Sequence, residues 1–354
     1  MGISFVAAIL VKQNQPLVID EISFEDVLDV GQVLVKLDYS GICGSQLGEI
    51  SGVKGPDPYL PHLLGHEGSG TVVETGPGVR TVTTGDRVVL HWKKGLGIEG
   101  SPPKYKWRGE IVNAGHVTTF NSAAVVSENR ITKISPNTDL RAAALMGCAI
   151  TTGFGVITND AKLKIGENII VFGAGGVGLN IIQGAKLAGA NKIIAVDQWD
   201  NRLALAKNFG ATSTVNVKSV ENLEGSLSDA IRGFPIDVAV DNTGNPSMIK
   251  KAYDLVSKGG RVLLVGVPKK GDETTLYTLP MHFGKRLIGS EGGGTDPDRD
   301  IPKYMDLIDN KKLEYRKLIS SVHDLSNIND VISGMRDGTE AGRALIKFDD
   351  EKLS

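Results

Sequence analysis

The segment Gly-Ala-Gly-Gly-Val-Gly at residues 173–178 constrains this chain more than any other part of its sequence. An apolar run at 168–172 precedes it and a segment of helical character follows over 177–187. A second apolar run, at 192–196, ends at Asp197. Strand, glycine turn, helix and second strand with a terminal acid form the pattern of a dinucleotide-binding βαβ unit. A tight turn that binds no ligand is the alternative interpretation.

The chemistry of this turn predicts which cofactor it binds. Glycine permits a tight turn and lets backbone N–H groups approach a pyrophosphate, which the N-terminus of the following helix also attracts. Asp197 follows the first glycine by 197 − 173 = 24 positions, where a carboxylate can accept both adenosine ribose hydroxyls. Because its charge would repel a 2′-phosphate, we expect NAD. The cofactor-binding residues predicted from the turn are Gly173, Gly175, Gly176, Val177 and Gly178.

Composition is typical of a soluble enzyme with two domains. A chain of 354 residues is long for one hydrophobic core, and a net charge of −2 gives no general attraction for nucleic acid. No apolar stretch has the length of a membrane span, and the N-terminus lacks the basic segment of a signal peptide. The chain has two cysteines, Cys43 and Cys148, which favours a reducing compartment and therefore a cytoplasmic location.

The sequence pattern changes twice along the chain. Residues 1–150 contain short alternating runs separated by turn residues, which predicts an antiparallel β-rich domain. Residues 151–291 alternate apolar strands with helical segments, which predicts a doubly wound parallel sheet. Residues 292–354 contain a predicted helix at 301–307 and a predicted strand at 343–348, and we expect them to return to the first domain.

Three residues of the β-rich part are candidate metal ligands. Cys43, His66 and Cys148 offer two thiolates and one imidazole, the donors of a tetrahedral zinc site with one open position. Taken singly, a cysteine is usually a small buried hydrophobe and a histidine is more often structural than a ligand. Their spacing does not form a local zinc finger, so spacing alone does not establish a site.

The motifs around these residues resemble those of the zinc-dependent medium-chain alcohol and polyol dehydrogenases. Residues 65–76 resemble the zinc signature of that family, 41–45 its first-ligand turn, and 146–148 the segment with its second thiolate. The similarity continues through 171–178, 261–268 and 289–312. The resemblance implies an α/β protein with a GroES-like catalytic domain and a Rossmann domain, which together hold NAD and zinc. Cys43, His66 and Cys148 would hold this one catalytic zinc.

The resemblance also implies a mechanism. Zinc would act as a Lewis acid that lowers the pKa of the alcohol, and the alkoxide would give a hydride to the nicotinamide ring. Ser45 is placed like the family's hydroxyl that accepts the alcohol proton; a turn-stabilising serine is the alternative. Glu67 resembles a glutamate near the metal that can exchange with water as a ligand.

Three further positions are interpreted through the same resemblance. Arg343 resembles an arginine that contacts the pyrophosphate, and Arg202, five residues after Asp197, is placed near the adenosine. For both, a solvated surface arginine is the alternative. Trp92 resembles a position that lines the substrate pocket.

The chain departs from the family pattern at several positions. Many members have four further cysteines that hold a structural zinc, but residues 93–108 are basic and aromatic here, so a second zinc of that type is not expected. We interpret these residues as a solvated loop rather than as a site for an anion or an acidic partner. Gln46 stands where many members have an aspartate that orients the zinc-bound histidine, and Gly48 stands where some have a relay histidine.

These features predict a zinc- and NAD-dependent dehydrogenase of a secondary alcohol, a sugar or a cyclitol, or of the matching ketone. A primary alcohol or aldehyde is the alternative substrate within the family. A metal-free quinone or enoyl reductase and a non-catalytic scaffold are the two competing functions. The resemblance implies a homodimer or homotetramer that pairs through edge strands near residues 276–283. No nucleic-acid or membrane partner is expected.

Overall fold

The computed structural model describes residues 2–349, which form two compact units. The β-rich unit contains the chain up to Ala149, residues 296–311 and the described residues from Tyr315 onward. The α/β unit contains residues 150–295 and the short segment 312–314.

The strands of the described chain are, in order, β1 (Ile3–Leu10), β2 (Val18–Phe24), β3 (Gln32–Gly41), β4 (His62–Leu63), β5 (Glu67–Thr75), β6 (Arg87–His91), β7 (Lys104–Trp107), β8 (Glu110–Asn113), β9 (Ala123–Ser127), β10 (Ile131–Lys133), β11 (Asn168–Phe172), β12 (Lys192–Asp197), β13 (Ser213–Asn216), β14 (Ile236–Asp241), β15 (Val256–Leu264), β16 (Arg286–Gly289), β17 (Ile319–Asp324) and β18 (Arg343–Lys347).

The α-helices of the same residues are α1 (Gly44–Ile50), α2 (Leu140–Met146), α3 (Ala149–Gly155), α4 (Gly176–Leu187), α5 (Asp200–Phe209), α6 (Leu223–Ile231), α7 (Pro246–Leu255), α8 (Leu279–His282), α9 (Pro297–Asp309) and α10 (Ile328–Asp337). Helix α3 continues into π-helical turns at Val156–Ala161. Short 3-10 turns lie at Glu128–Arg130, Gly292–Gly294, Arg316–Leu318 and Leu325–Asn327.

The α/β unit is built on one parallel sheet. Its strands have the order β13-β12-β11-β14-β15-β16, which confirms the predicted doubly wound topology. All five residues of β11 are buried, as expected for a central strand of a parallel sheet with both faces covered. Strand β11 pairs with β12 on one side and with β14 on the other, so the later strands are added on the opposite side of β11. The carboxyl end of β11 is therefore the topological switch point of the sheet. Ligands of open α/β sheets bind at such a switch point.

The β-rich unit contains a closed barrel and an open sheet. The barrel has the order β1-β2-β7-β8-β4, and the sheet has the order β10-β6-β5-β3-β18-β17, with β9 also paired to β3. Strand β18 pairs antiparallel with β3, so the last part of the chain completes a sheet that the first part begins.

The prediction of a solvated loop over residues 93–108 is wrong for its second half. Strand β7 belongs to the barrel, and its side chains alternate between solvent and core. Tyr105 and Trp107 lie in the core of this unit, whereas Lys104 and Lys106 are exposed. The Lys-Tyr-Lys-Trp alternation is the period-two signal of a half-buried strand, which the basic composition of the segment obscured.

The edge strand predicted near residues 276–283 lies just after this range rather than within it. These residues form a loop and α8, and the edge strand is β16. Pro280 lies in the first turn of α8, where its missing N–H costs nothing. Tyr277, Leu279 and Phe283 are exposed beside this edge.

No single helix among the described residues combines the length of a membrane span with an apolar composition. Two consecutive helical segments, Leu140–Met146 and Ala149–Ala161, meet both criteria when they are taken together, but the chain bends by 52° at the break between them.

Glu128 organises the loop that precedes β7. Its side chain is buried, and Oε1 accepts hydrogen bonds from the N–H groups of Arg80 (2.7 Å) and Thr81 (2.9 Å). Oε2 accepts a hydrogen bond from the N–H of Ile98 at 2.7 Å. Burial alone would raise the pKa of Glu128, but these hydrogen bonds lower it below its ordinary value. The loop is therefore held by one buried, ionised carboxylate.

Replacing Glu128 by Gln should lower the free energy of unfolding by about 2 kcal/mol, because an amide NH₂ then faces a backbone N–H and the charge is lost. Urea denaturation measures this change, with Glu110→Gln, an exposed residue of β8, as the control. Since the pKa of Glu128 is lowered on folding, the difference should be complete above the ordinary value of 4.5 and shrink as the pH falls through the folded-state pKa. Equal midpoints for the variant and the wild type would contradict this role.

Candidate functional site

Cys43, His66 and Cys148 come together in the β-rich unit from three distant parts of the sequence. Their ligand atoms all lie within 4.8 Å of one another. Cys43 is the N-cap residue of α1, His66 immediately precedes β5, and Cys148 lies between α2 and α3. The antiparallel pairing of β3 with β5, which places Ser40 opposite Gly68, brings the first two ligands together.

Gly147 explains how the third ligand reaches the other two. A Cβ atom at this position would lie 2.3 Å from the carbonyl oxygen of Leu90 and 2.7 Å from the Cα atom of Glu67. Only glycine therefore lets the segment before Cys148 pass this close to β5 and β6.

The donor set fits a zinc ion. Both cysteine side chains are buried, and His66 Nε2 is buried with no hydrogen-bond partner among the described residues. The pKa of the Cys43 thiol is well below its ordinary value, chiefly because the Cys148 thiol hydrogen-bonds to it and then because Arg343 is positively charged. Two thiolates and one imidazole leave the fourth position of a tetrahedral zinc open for water or substrate.

Glu67 and Arg343 form a buried ion pair, the Glu67–Arg343 pair, next to all three ligands. Oε1 of Glu67 lies 3.1 Å from Nε of Arg343, and the two side chains are 0% and 3% exposed. Nη1 of Arg343 donates to the carbonyl oxygen of Ile42 at 2.7 Å, and the N–H of Ala149 donates to Oε2 of Glu67 at 3.0 Å.

The positions of these contacts in the sequence give the pair its role. Ile42 directly precedes Cys43, Glu67 directly follows His66, and Ala149 directly follows Cys148. One ion pair thus connects the backbone beside every candidate ligand. The alternative of a solvated Arg343 is wrong, since the side chain is buried; its contact with the pyrophosphate stays a prediction.

Arg343 keeps its positive charge in this buried ion pair. Burial lowers the pKa of Arg343, but the negative charges of Glu67 and Cys43 outweigh it and raise that pKa above its ordinary value. Burial raises the pKa of Glu67, and Arg343 opposes the rise. A cation is therefore present beside the two thiols, where it stabilises their deprotonated forms.

The other predicted residues of this unit lie on nearby elements. Ser45 is exposed in the first turn of α1. Gln46, the next residue, is buried, and its Nε2 lies 2.5 Å from Nδ1 of His66. Trp92 follows β6 and is partly buried, and the ammonium of Lys93 lies 5.4 Å from the centroid of its ring.

The glycine turn of the α/β unit has the geometry that its sequence requires. Gly173 has a φ of +92°, and Gly175 is the N-cap residue of α4. A Cβ atom on Gly178 would lie 1.9 Å from the carbonyl oxygen of Gly173, so no other residue fits there. The N-terminus of α4 therefore begins directly at the carboxyl end of β11.

Asp197 lies beside this turn at the end of β12. Oδ2 accepts a hydrogen bond from the N–H of Ala174 at 2.7 Å. Oδ1 accepts from the N–H groups of Gln198 (2.7 Å) and Trp199 (3.1 Å). These bonds fix the carboxylate next to the glycines, with lone pairs left for further donors. Arg202 lies in the first turn of α5, and its contact with adenosine stays a prediction.

Asp241, which the sequence patterns did not single out, also lies at the carboxyl edge of the parallel sheet. It ends β14 on the other side of the switch point and is fully buried. Its carboxylate accepts from Thr243 Oγ1 at 2.6 Å and from the N–H of Gly244 at 2.9 Å. A Cβ on Gly173 would lie 3.2 Å from Thr243 Cγ2, so the two loops are close. An acid followed by Asn-Thr-Gly, directly after an apolar run, was the available signal.

Comparison with known proteins matches both units. The alcohol dehydrogenase GroES-like domain matches residues 29–136, and the zinc-binding dehydrogenase domain matches residues 176–310. The chain is 31% identical to the alcohol dehydrogenase class-3 of Cereibacter sphaeroides and 30% identical to the S-(hydroxymethyl)glutathione dehydrogenase of Paracoccus denitrificans, and each alignment covers 97% of this chain and 99% of the relative. The crystal structure of benzyl alcohol dehydrogenase from Acinetobacter calcoaceticus superposes with a TM-score of 0.86 at 27% identity, covering 98% of this chain and 99% of that one.

We expect the purified protein to hold about one zinc per chain, because the described residues bring together one set of three such ligands. His66→Ala and Cys148→Ser should each lose the metal while the α/β unit still binds NAD. His282→Ala, which changes an exposed histidine of the α/β unit, is the control and should retain zinc. Elemental analysis and calorimetric NAD titration measure the two properties. Two tightly held zinc ions per chain would mean that another ligand set exists.

Proposed function

The chain belongs to the zinc-dependent medium-chain alcohol dehydrogenases, oxidoreductases that act on CH–OH groups, and we propose that it transfers a hydride reversibly between an alcohol and NAD. The observation that carries the proposal is the convergence of Cys43, His66 and Cys148. A metal-free reductase would have no use for two thiols and an imidazole in one buried place. The same convergence argues against a non-catalytic scaffold.

The metal and the residues around it have separate tasks in this proposal. Zinc, held by Cys43, His66 and Cys148, would polarise the alcohol oxygen and lower the pKa of its hydroxyl. The Glu67–Arg343 pair keeps the ligand-bearing segments in place and supplies a cation near the thiolates. In this proposal Glu67 acts by holding Arg343 and the N–H of Ala149, and its expected exchange as a ligand is not needed.

Ser45 is the proposed acceptor of the alcohol proton. It lies two residues after Cys43 and is an exposed residue. An exposed hydroxyl can pass a proton directly to water, which removes the need for the relay histidine that Gly48 replaces.

The α/β unit is proposed to bind NAD through the glycine turn and Asp197. The N–H groups at the start of α4 would contact the pyrophosphate. Asp197 would accept the ribose hydroxyls, and Arg202 would lie along the adenosine. Hydrogen bonds from three backbone N–H groups keep the Asp197 carboxylate in position before the cofactor arrives.

Two substrate classes are candidates. The sequence predicts a secondary alcohol, a sugar or a cyclitol, with Trp92 at the substrate pocket. The names of the relatives favour a primary alcohol, because hydroxymethyl and benzyl alcohol groups are both primary. Benzyl alcohol and 1-phenylethanol share one ring and differ in this property, so their kcat/KM values, measured by NADH absorbance, decide between the classes.

The proposal also covers assembly and location. A homodimer or homotetramer would cover Tyr277, Leu279 and Phe283, which are exposed beside the edge strand β16. Two free cysteines are compatible with a reducing, cytoplasmic environment.

The unmodified protein should prefer NAD to NADP by at least about tenfold in kcat/KM, which corresponds to about 1.4 kcal/mol, because Asp197 repels a 2′-phosphate. Asp197→Ala should reduce this preference mainly by weakening NAD binding. Asp200→Ala removes an exposed carboxylate three residues away and should leave the ratio unchanged. Equal kcat/KM for both cofactors in the unmodified protein would overturn the assignment.

Ser45→Ala should lower kcat for alcohol oxidation by about a hundredfold while zinc content and NAD affinity stay the same. Ser45→Thr keeps a hydroxyl and should restore most of the rate. The control is Ser51→Ala, at the other end of α1, whose hydroxyl donates to the carbonyl of Leu47. Unchanged turnover of Ser45→Ala, with a primary deuterium isotope effect showing that chemistry limits the rate, would assign Ser45 to the turn alone.

A further inference from the structure

Asp241 is the residue at which two loops of the α/β unit are joined. It ends β14 and is fully buried. Its carboxylate accepts hydrogen bonds from the hydroxyl of Thr243 (2.6 Å), the N–H of Thr243 (3.2 Å) and the N–H of Gly244 (2.9 Å). Its backbone carbonyl accepts from the N–H groups of Val265 (2.8 Å) and Gly266 (3.0 Å). One residue therefore holds the loop after β14 with its side chain and the residues after β15 with its main chain.

The loop after β14, residues 242–244, is called the β14 loop and packs against the glycine turn. A Cβ atom on Gly173 would lie 3.2 Å from Cγ2 of Thr243, so the side chain of Thr243 contacts the turn directly. A Cβ atom on Gly266 would overlap the backbone nitrogen of Gly244, so the residues after β15 also approach the loop backbone to backbone. Ligands of open α/β sheets bind outside this edge at the switch point, where the β14 loop would form part of the surface that a dinucleotide contacts.

The conformation of the β14 loop has a cost that the Asp241 carboxylate offsets. Gly244 has a φ of +68°, and holding a backbone segment in one conformation costs entropy. Three hydrogen bonds to one carboxylate supply the compensating interaction inside the protein, without any contribution from a ligand. A loop that is already ordered lets a ligand bind without the cost of ordering it.

We propose that Asp241 is a positioning residue for the cofactor: its carboxylate holds the β14 loop in the shape that NAD binds, so that the loop is ordered before the cofactor arrives. This role rests on the proposed binding of NAD at the glycine turn. Asp197 and Asp241 end the two strands that flank β11, and they have different tasks. Asp197 contacts the ribose, whereas Asp241 acts through the loop alone. The apparent dissociation constant of a ligand rises as the fraction of molecules in the binding-competent conformation falls.

Asp241→Asn should raise the NAD dissociation constant about tenfold, because the amide NH₂ cannot accept the N–H of Gly244 and the loop is then ordered in about one molecule in ten. Calorimetric titration measures this change. The KM for NAD should rise while kcat at saturating NAD stays nearly unchanged, since bound cofactor restores the loop. Zinc content should equal that of the wild type.

Asp237→Asn is the matched control for this variant. It makes the same substitution in the same strand, near the opposite end of β14, where Asp237 accepts a hydrogen bond from the N–H of Asn168 at 2.8 Å. Because this end of the strand lies away from the carboxyl edge, the NAD dissociation constant of Asp237→Asn should equal that of the wild type.

Amide hydrogen exchange measures the order of the loop without reference to activity. In wild-type protein without NAD, the amide protons of Thr243 and Gly244 should exchange slowly, because both donate to Asp241. In Asp241→Asn they should exchange quickly without NAD and become protected again at saturating NAD. A residue that only stabilised the fold would change exchange in β11 and β14 as well.

Thr243→Val and Thr243→Ser test the same contact if Asp241→Asn folds poorly. Valine keeps a methyl group beside Gly173 and removes the hydroxyl that donates to Asp241, whereas serine keeps the hydroxyl. Thr243→Val should raise the NAD dissociation constant and speed exchange of the Gly244 amide. Thr243→Ser should leave both properties close to those of the wild type.

The outcomes separate this inference from the proposed function. A wild-type protein that binds no NAD would remove both. Fast exchange of the Gly244 amide in the wild type would overturn the role of Asp241 and leave the dehydrogenase proposal intact. The same conclusion would follow if Asp241→Asn bound NAD with unchanged affinity, or if Asp237→Asn lost as much affinity as Asp241→Asn.

Discussion

The ion pair between Glu67 and Arg343 is the interaction on which the metal centre depends. Taking two charges out of water is costly, and such a pair persists only when other hydrogen bonds satisfy its remaining atoms. Here the carbonyl of Ile42 and the N–H of Ala149 do so. Removing one partner of a buried pair typically costs about 3–5 kcal/mol. Such a loss here would release the backbone beside all three ligands at once.

The pair also explains why the last part of the chain belongs to the β-rich unit. Arg343 is the first residue of β18, which lies between β3 and β17 in the sheet. The strand brings a cation to the thiols of Cys43 and Cys148, where α1 and α3 begin. A metal centre assembled from the first 148 residues therefore needs a strand that follows nearly two hundred residues later.

Agreement between sequence and structure is best where the physical signal is local. The buried strand predicted over residues 168–172 is β11, and the glycine turn leads into α4 as expected. Local patterns mislead where composition obscures them, as in β7, where lysines alternate with core aromatics.

The sequence by itself determined the order of the elements, the positions of the glycines and the chemical types of the candidate ligands. These properties depend on neighbouring residues: hydrophobic period, turn chemistry and donor type. Only the tertiary structure decided that Cys43, His66 and Cys148 meet, that Arg343 is buried against Glu67, and that Gln46 faces His66. Those contacts depend on strand pairing between distant segments and on the close approach that Gly147 permits, and no local pattern of residues encodes either.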